Sequence, residues 1–226
     1  ELKNTDTRAG DAHDALKKIA HTRFDKTISG LKKITRALGS LAKKAGKPVV
    51  LVVGGSLGTR TLNEAMKAHA DEIVREGRFQ VIWQTGKYYE REMDEFMRGR
   101  DARGIWRGAF IERMDLAYAA ADIVVARSGA GTVSELCLVG KAVVFVPSPN
   151  VAEDHQTKNA MALADRGAAL VVPDREAVAR VFSEAGRLLA DDAMRSEMEK
   201  NIRALAVADS ADRVADEILK VVKRSE

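Results

Sequence analysis

The sequence predicts an α/β fold in which helices cover both faces of a doubly wound parallel sheet. From residue 48 onward, short apolar runs typical of buried parallel strands alternate with longer segments whose apolar residues recur every three or four positions. Strand then helix, repeated along a chain, indicates a parallel sheet with helical crossovers. Glycine-containing turns join several strands to the following helices, and such turns often bind anions in this fold class.

The predicted elements follow one another along the chain. We expect strands at 49–53, 79–84, 104–108, 122–126, 142–146 and 169–172. We expect helices at 60–75, 87–98, 113–121, 132–139, 155–166, 175–190, 192–206 and 211–223. No internal repeat of fixed period and no low-complexity segment interrupts them, so residues 48–226 are expected to form one domain.

Residues 1–47 differ from the rest of the chain in charge and pattern. They hold 12 lysines and arginines against 5 acidic residues, a net charge of +7, whereas residues 48–226 carry −3. We expect helices from Asp11 to about Thr22 and from about Lys26 to Ala45. The apolar stripe of the second helix comprises Leu31, Ile34, Leu38 and Leu41. We favour packing of this helix against the body of the protein, and the main alternative is contact with an anionic membrane surface. Nucleic-acid binding is disfavoured because no aromatic residues lie between the lysines of this helix.

The composition excludes a disulfide-bonded or metal-clustered framework. Hydrophobic residues make up 46% and charged residues 31% of the chain, which is ordinary for a globular protein. Cys137 is the single cysteine, which favours a reducing, cytoplasmic compartment. No apolar run approaches the roughly 20 residues of a membrane span, and no signal peptide is visible. The four histidines are scattered, at His13, His21, His69 and His155, so neither a metal site nor a catalytic triad is expected.

The most informative stretch is 121–140, ADIVVARSGAGTVSELCLVG. An apolar strand is followed by the turn 127–131 and by a helix that begins near Thr132. Free N–H groups at the start of such a helix point at whatever occupies the turn, so the stretch predicts an anion site. We expect Ser128 and Thr132 to add hydroxyl donors. We expect the Glu135 carboxylate to accept hydrogen bonds from neutral hydroxyl groups such as those of a ribose. The alternative is an ordinary connection in which this carboxylate is simply exposed.

Polar turns also follow the other predicted strands and are expected at the same edge of the sheet. VGGSLGTR at 53–60 follows the first strand but lacks the G-x-G-x-x-G spacing of dinucleotide sites, and WQTGK at 83–87 ends the second. The pair 110–111 follows the third strand and offers an apolar slot for a flat ring, although Phe110 taken alone is interpreted as a core residue. PSPN and EDHQTKN follow the fifth strand and place His155 in a first helical turn.

These motifs resemble, in order and separation, those of the bacterial undecaprenyldiphospho-muramoylpentapeptide β-N-acetylglucosaminyltransferase family. GGSLGTR, WQTGK, RSGAGTVSEL and PSPNVAEDHQTKNA carry the resemblance, which extends from about Pro48 to the C-terminus. The family has the glycosyltransferase B arrangement, in which two Rossmann-like domains face a cleft and the C-terminal one holds UDP-N-acetylglucosamine. The resemblance implies that residues 48–226 are the nucleotide-sugar-binding, Rossmann-like half of an inverting N-acetylglucosaminyltransferase of peptidoglycan synthesis.

The resemblance also implies roles for particular residues. Ser56 would contact the donor's phosphate region, the backbone of Ile111 would hydrogen-bond the uracil, and Glu135 would hold the ribose hydroxyls. His155 and Gln156 would reach the hydroxyls of the sugar. The diphosphate would lie on the helix N-terminus formed by Ala130, Gly131 and Thr132. The other residues of the two phosphate-binding turns are Gly54, Gly55, Gly58, Ser128 and Gly129. No metal or other cofactor is implied, because helix-terminus donors stabilise the departing UDP.

The chain departs from the family at its N-terminal end. Members carry a whole N-terminal domain with the acceptor surface, the membrane surface and the candidate catalytic base, and residues 1–47 do not resemble it. Because the chain begins at Glu1 without a methionine, we expect a trimmed chain or part of a longer one, and the replaced segment of a chimera is one interpretation of residues 1–47. Because the family carries its candidate base and acceptor surface in the N-terminal domain, we expect no transfer activity from this chain alone. The alternative is a non-catalytic donor-binding subunit or an engineered fragment. The expected partners are UDP-N-acetylglucosamine or UDP and an acceptor-binding N-terminal domain. Contact with the anionic inner face of the cell membrane is expected to be weak at most, and no nucleic acid is expected to bind.

Deletion of residues 1–45 is expected to lower the thermal midpoint or to cause aggregation. The apolar stripe defined above must be covered, since each such side chain contributes roughly 1.5–3 kcal/mol when it is buried. Thermal unfolding of the full chain and of residues 46–226 measures the effect, and sedimentation with anionic vesicles serves as the control. Strong vesicle binding that high salt abolishes, together with an equally stable truncated form, would instead indicate a membrane anchor.

Overall fold

The computed structural model of the protein describes residues 46–55, 57–209, 213, 215–218 and 220. These residues belong to two units, residues 46–206 and the described residues from Val207 onward. In the second unit the described residues from 213 to 220 are helical, and Arg213 forms an ion pair with Asp209. The two predicted N-terminal helices, Ser56 and much of the predicted helix at 211–223 lie outside the described residues.

A six-stranded parallel sheet forms the centre of the unit 46–206. Its strands are β1 (Val49–Val53), β2 (Gln80–Gln84), β3 (Ile105–Gly108), β4 (Ile123–Ala126), β5 (Ala142–Phe145) and β6 (Leu170–Val171). Their order across the sheet is β3-β2-β1-β4-β5-β6, and every neighbouring pair is parallel. The winding reverses between β1 and β4, which confirms the predicted doubly wound fold. Ligands of such folds bind beyond the carboxyl ends of the strands at this switch point.

Helices connect the strands and flank the sheet. They are α1 (Arg60–Glu76), α2 (Glu90–Met97), α3 (Met114–Ala120), α4 (Ala130–Val139), α5 (His155–Ala164), α6 (Asp174–Ala190) and α7 (Asp192–Ala204). All were predicted, with ends that differ by up to three residues. The start of α2 is later than expected because Tyr89 N–H donates to the Gly86 carbonyl and closes a turn (3.1 Å). None of the described helices is long and apolar enough to cross a membrane.

Two apolar layers lie on opposite faces of the sheet. Alternate residues of β1 divide between them: Val50 and Val52 join one layer with residues of α1, α2 and α6, while Leu51 and Val53 join the other with residues of α3, α4 and α5. Every residue of β1, β4 and β5 is buried. Their continuously apolar sequences are those expected of strands covered on both faces. Because these strands are buried, the starting points of the loops at their carboxyl ends are fixed.

The glycine turn after β1 packs directly against the turn after β2. Gly58 and Gly86 have φ angles of 84° and 83°. A Cβ on Gly86 would lie 2.1 Å from the Cα of Gly58, and a Cβ on Gly58 would lie 2.2 Å from the carbonyl oxygen of Thr85. Behind them, Asn63 Nδ2 donates to the Thr85 carbonyl and Asn63 Oδ1 accepts from Trp83 Nε1, each at 2.9 Å. Backbone contact and a buried amide thus hold the two turns together.

Gly86→Ala is expected to lower the free energy of unfolding by about 2–4 kcal/mol, since left-handed strain adds to overpacking. Gly99→Ala is the matched control. Gly99 also has a positive φ, 76°, but a Cβ there would meet nothing within 4 Å, so only the conformational cost of roughly 1 kcal/mol remains. Urea unfolding of both variants measures the difference. Equal losses would show that the contact between the two turns does not contribute to stability.

Candidate functional site

The predicted site residues follow the carboxyl ends of four strands. The first glycine turn follows β1, Ile111 follows β3, the turn 127–131 follows β4, and His155 and Gln156 follow β5. Because parallel strands share one direction, these loops meet at one edge of the sheet. The pairing of β1 with β4 places the first and third of them side by side.

At the start of α4, three backbone N–H groups have no acceptor among the described residues. The first helical bond runs from Val133 N to the carbonyl of Gly129 (3.0 Å), and no described residue accepts a hydrogen bond from the N–H of Ala130, Gly131 or Thr132. The first turn of α4 contains no acidic residue. The partial positive charge of this helix end is therefore uncompensated by the described residues, which is an arrangement that binds phosphate groups.

The glycines of the two turns differ in their surroundings. A Cβ on Gly54 would lie 2.5 Å from Cγ2 of Thr59, so packing requires this glycine. A Cβ on Gly55, Gly129 or Gly131 would meet nothing within 4 Å. Gly129 has an ordinary φ of −64°, so neither packing nor backbone conformation requires a glycine there. The open space in front of these residues allows a ligand to approach the backbone closely.

Ser128 has a structural role that differs from the predicted one. We expected its hydroxyl to be a donor toward a ligand, but Ser128 is fully buried and its Oγ donates to the carbonyl of Gln156 at 2.8 Å. Asn159 Nδ2 donates to the Ser128 carbonyl at 3.0 Å. These two bonds tie the turn after β4 to α5. Gln156 Oε1 accepts from the N–H of Ser148 at 3.0 Å, which leaves its Nε2 as the available donor.

His155 begins α5 and presents an exposed imidazole. Its Nδ1 lies 2.8 Å from the carbonyl oxygen of Ala152, and because a carbonyl only accepts, this bond requires a proton on Nδ1. In the neutral ring Nε2 is then an acceptor. The preceding residues Glu153 and Asp154 have φ angles of 54° and 52°, a conformation that costs roughly 1–2 kcal/mol per residue. A strained bend therefore places His155 and Gln156 at the start of α5.

Glu135 lies on the second turn of α4 and is exposed. Tyr118, from α3, donates its hydroxyl to Glu135 Oε2 at 3.0 Å. This is the only hydrogen bond that Glu135 accepts from another described side chain. One carboxylate oxygen is thus held by the protein, and Oε1 is available as an acceptor.

A buried amide organises the loop after β3. Gln84 Nε2 donates to the carbonyl of Gly55 at 2.8 Å, and Gln84 Oε1 accepts from the N–H of Ile111 at 3.3 Å. The Ile111 carbonyl accepts no hydrogen bond from a described residue. Phe110 is 48% exposed, so its interpretation as a core residue is wrong, and Lys87 Nζ lies 5.7 Å from the centre of its ring. An exposed aromatic ring beside a free carbonyl suits a flat heterocycle that carries an N–H donor.

Arg127 hydrogen-bonds to several of these loops, a role that the sequence analysis did not predict. Its guanidinium donates to Thr59 Oγ1 at 2.6 Å, to the carbonyls of Val146 and Pro147 at 2.9 and 3.0 Å, and to Asp174 at 2.5 Å. One side chain thus connects the start of α1, the end of β5 and the start of α6. The signal in the sequence was a charged residue directly between a buried strand and a glycine turn, where a cation needs nearby partners.

The described residues of this region hold neither a group of metal ligands nor an exposed thiol. In the part of the chain that the structure describes, no three histidine, cysteine, aspartate or glutamate side chains are grouped so that they could hold a metal ion. Cys137 is buried, and burial raises the pKa of its thiol, which makes it a poor nucleophile.

Residues 49–214 match the glycosyltransferase family 28 C-terminal domain. Over 194 residues the chain is 44% identical to the UDP-N-acetylglucosamine–N-acetylmuramyl-(pentapeptide) pyrophosphoryl-undecaprenol N-acetylglucosamine transferase of Parabacteroides distasonis, covering 86% of this chain and 52% of that protein. The transferase of the same name from Bacteroides thetaiotaomicron is 46% identical over 188 residues, covering 83% and 50%. The solved structure of Acinetobacter baumannii MurG matches with a TM-score of 0.68 at 32% identity, covering 81% of this chain and 53% of that one. The chain thus spans about half the length of the curated relatives it matches.

Arg127→Met is expected to lower the free energy of unfolding by about 1–3 kcal/mol. Breaking a fully buried ion pair costs about 3–5 kcal/mol, and the side chains of Arg127 and Asp174 are 14% and 23% exposed, which reduces that figure. Arg91→Met is the matched control because the Arg91 side chain is 92% exposed, and it should cost less than about 1 kcal/mol. Urea unfolding compares the two. If both variants lose the same small amount, Arg127 does not tie the loops together.

Proposed function

The chain belongs to the glycosyltransferase family 28 C-terminal domain family, and from this premise we propose that it binds UDP-N-acetylglucosamine as the donor-binding half of a transferase. The proposed reaction adds N-acetylglucosamine to lipid-linked muramoyl-pentapeptide in peptidoglycan synthesis. The observation that carries the proposal is the start of α4, where three N–H groups have no acceptor in the described part of the chain and Glu135 lies one turn further along. The names of the two curated relatives, at 44% and 46% identity, support the choice of donor and acceptor.

In this proposal the diphosphate of the donor lies against the N–H groups of Ala130, Gly131 and Thr132. The acceptor hydroxyl gives its proton to a base of the acceptor-binding domain and attacks the anomeric carbon from the face opposite the diphosphate. The bond from that carbon to the β-phosphate oxygen breaks, and UDP departs with the electron pair. Negative charge then grows on the β-phosphate. Fixed N–H donors at a helix N-terminus stabilise this charge without a metal ion, because they are already oriented before the reaction begins.

The other groups of the donor match the remaining described side chains. The uracil ring stacks on Phe110 and donates its N3–H to the carbonyl of Ile111. The ribose hydroxyls donate to Glu135, whose Oε1 is available. His155 Nε2 and Gln156 Nε2 offer one acceptor and one donor to the sugar hydroxyls, and their fixed hydrogen bonds to Ala152 and Ser148 support this assignment.

Two turns complete the proposed phosphate region. Gly55, Gly129 and Gly131 leave open space in front of their backbones, which suits close approach by phosphate oxygens. Gly54 and Gly58 contribute by fixing the shape of the first turn, since a Cβ on either would collide with neighbouring atoms. Ser56 is retained as a further phosphate contact on the strength of the family resemblance.

The acceptor side of the reaction is assigned to an acceptor-binding domain, because the chain spans about half the length of its curated relatives. The undecaprenol named in those relatives is a long hydrocarbon chain, which a membrane retains through burial of its apolar surface. We therefore propose that the protein acts at the inner face of the cell membrane, and that residues 48–226 alone bind the donor without transferring the sugar. The catalytic base is not assigned to a residue of this chain.

UDP is expected to bind to the full chain in the presence of excess EDTA, because the proposed phosphate donors are backbone groups. Glu135→Ala should weaken this binding by about 1.5–3 kcal/mol, or about 10- to 150-fold, the range for a hydrogen bond to a charged group. Binding of 2′,3′-dideoxy-UDP should not change, since it lacks the groups that Glu135 accepts from. Isothermal titration calorimetry measures both ligands.

Glu197→Ala, at an exposed position on α7 far along the chain from the site, is the matched control and should leave both affinities unchanged. Affinity that disappears in EDTA and returns with Mg²⁺ would contradict the role of the α4 N-terminus. Equal losses for UDP and its dideoxy analogue in Glu135→Ala would remove Glu135 from the ribose site.

A further inference from the structure

Tyr118 connects the interior of the protein to an exposed residue of the proposed site. Its ring is buried in the apolar layer that also contains Ile111 and Leu136. Its hydroxyl donates to Oε2 of Glu135 at 3.0 Å. The two residues come from different helices, α3 and α4, so the bond also fixes the spacing between those helices at this point.

The two partners of this hydrogen bond differ in how much each depends on it. A buried phenol requires a hydrogen-bond acceptor, whereas an exposed carboxylate is well solvated by water. Free in solution, a glutamate side chain populates several rotamers, and ordering it on ligand binding costs affinity. A bond from a residue whose ring is fixed in the core removes part of that cost before the ligand arrives.

We propose that Tyr118 is a positioning residue that holds the Glu135 carboxylate in the orientation that accepts the two ribose hydroxyls of the nucleotide. The phenol occupies one lone pair of Oε2 and leaves Oε1 and the second lone pair of Oε2 for a vicinal diol. This inference rests on the proposed function, because it takes the ribose of UDP as the ligand of Glu135.

The hydroxyl is a donor throughout the working pH range. Burial raises the pKa of the Tyr118 phenol well above its usual range, and the charge of Glu135 raises it further. A protonated phenol beside a carboxylate can only donate, so the direction of the bond is fixed. The carboxylate accordingly remains the acceptor for any further hydroxyl group.

Tyr118→Phe tests the proposal, since it removes the hydroxyl and retains the ring. In calorimetric titrations of the full chain we expect UDP affinity to fall by about three- to tenfold, less than the loss for Glu135→Ala because the carboxylate is still present. The affinity for 2′,3′-dideoxy-UDP and the thermal midpoint should stay close to those of the unchanged protein. Tyr89→Phe is the matched control, because Tyr89 packs against the other apolar layer and its hydroxyl bonds to no described residue.

The double variant Tyr118→Phe/Glu135→Ala separates a positioning role from an independent one. If Tyr118 acts through Glu135, the double variant binds UDP as tightly as Glu135→Ala alone. Additive losses, or equal losses for UDP and the dideoxy analogue in Tyr118→Phe, would overturn the proposal. Unchanged UDP affinity in Tyr118→Phe, with Glu135→Ala still weakened, would also overturn it and leave the proposed function intact. Failure of the unchanged protein to prefer UDP over the dideoxy analogue would overturn this inference alone, whereas failure to bind UDP at all would contradict the proposed function.

Discussion

Val53 and Ala126 pair at the carboxyl ends of β1 and β4, which run side by side and parallel at the centre of the sheet. Both strands are buried on both faces, so neither can shift its register without exposing apolar residues. The two glycine turns therefore start at the same level, and α4 begins beside the first of them. The position of the free N–H groups of α4, and with it the proposed phosphate site, depends on this pairing.

Buried and partly buried polar side chains then fix the loops that the strands bring together. Arg127 binds the start of α1, the loop after β5 and the start of α6, Gln84 links the first glycine turn to the loop after β3, and Ser128 ties the turn after β4 to α5. No buried side-chain nitrogen or oxygen of the described residues lacks a hydrogen-bond partner, so these ties stabilise the loops instead of straining them. Because side chains make these contacts, the backbone N–H groups at the start of α4 remain available to a ligand.

Periodicity and turn chemistry predicted the order of elements and the edge at which the site lies, because both follow from local sequence. They did not predict which side of a loop a given residue would occupy. The Ser128 hydroxyl bonds to α5, a segment distant in sequence, and Phe110 is half exposed. The same reason explains why Arg127 and Gln84 were missed: spacing along the chain does not reveal partners across neighbouring loops.

The two ends of the proposed site are held differently, which bears on how it would work. The nucleotide end rests on Gln84 and Tyr118, whose hydrogen bonds reach the site from buried positions. The sugar end rests on His155 and on the bend at Glu153 and Asp154, where exposed residues adopt a left-handed backbone at a conformational cost. A preorganised nucleotide end favours tight and selective recognition of UDP. A strained bend of exposed residues has few buried contacts to resist its movement. In the proposed reaction, adjustment of the donor would therefore fall on the sugar contacts and leave the diphosphate fixed.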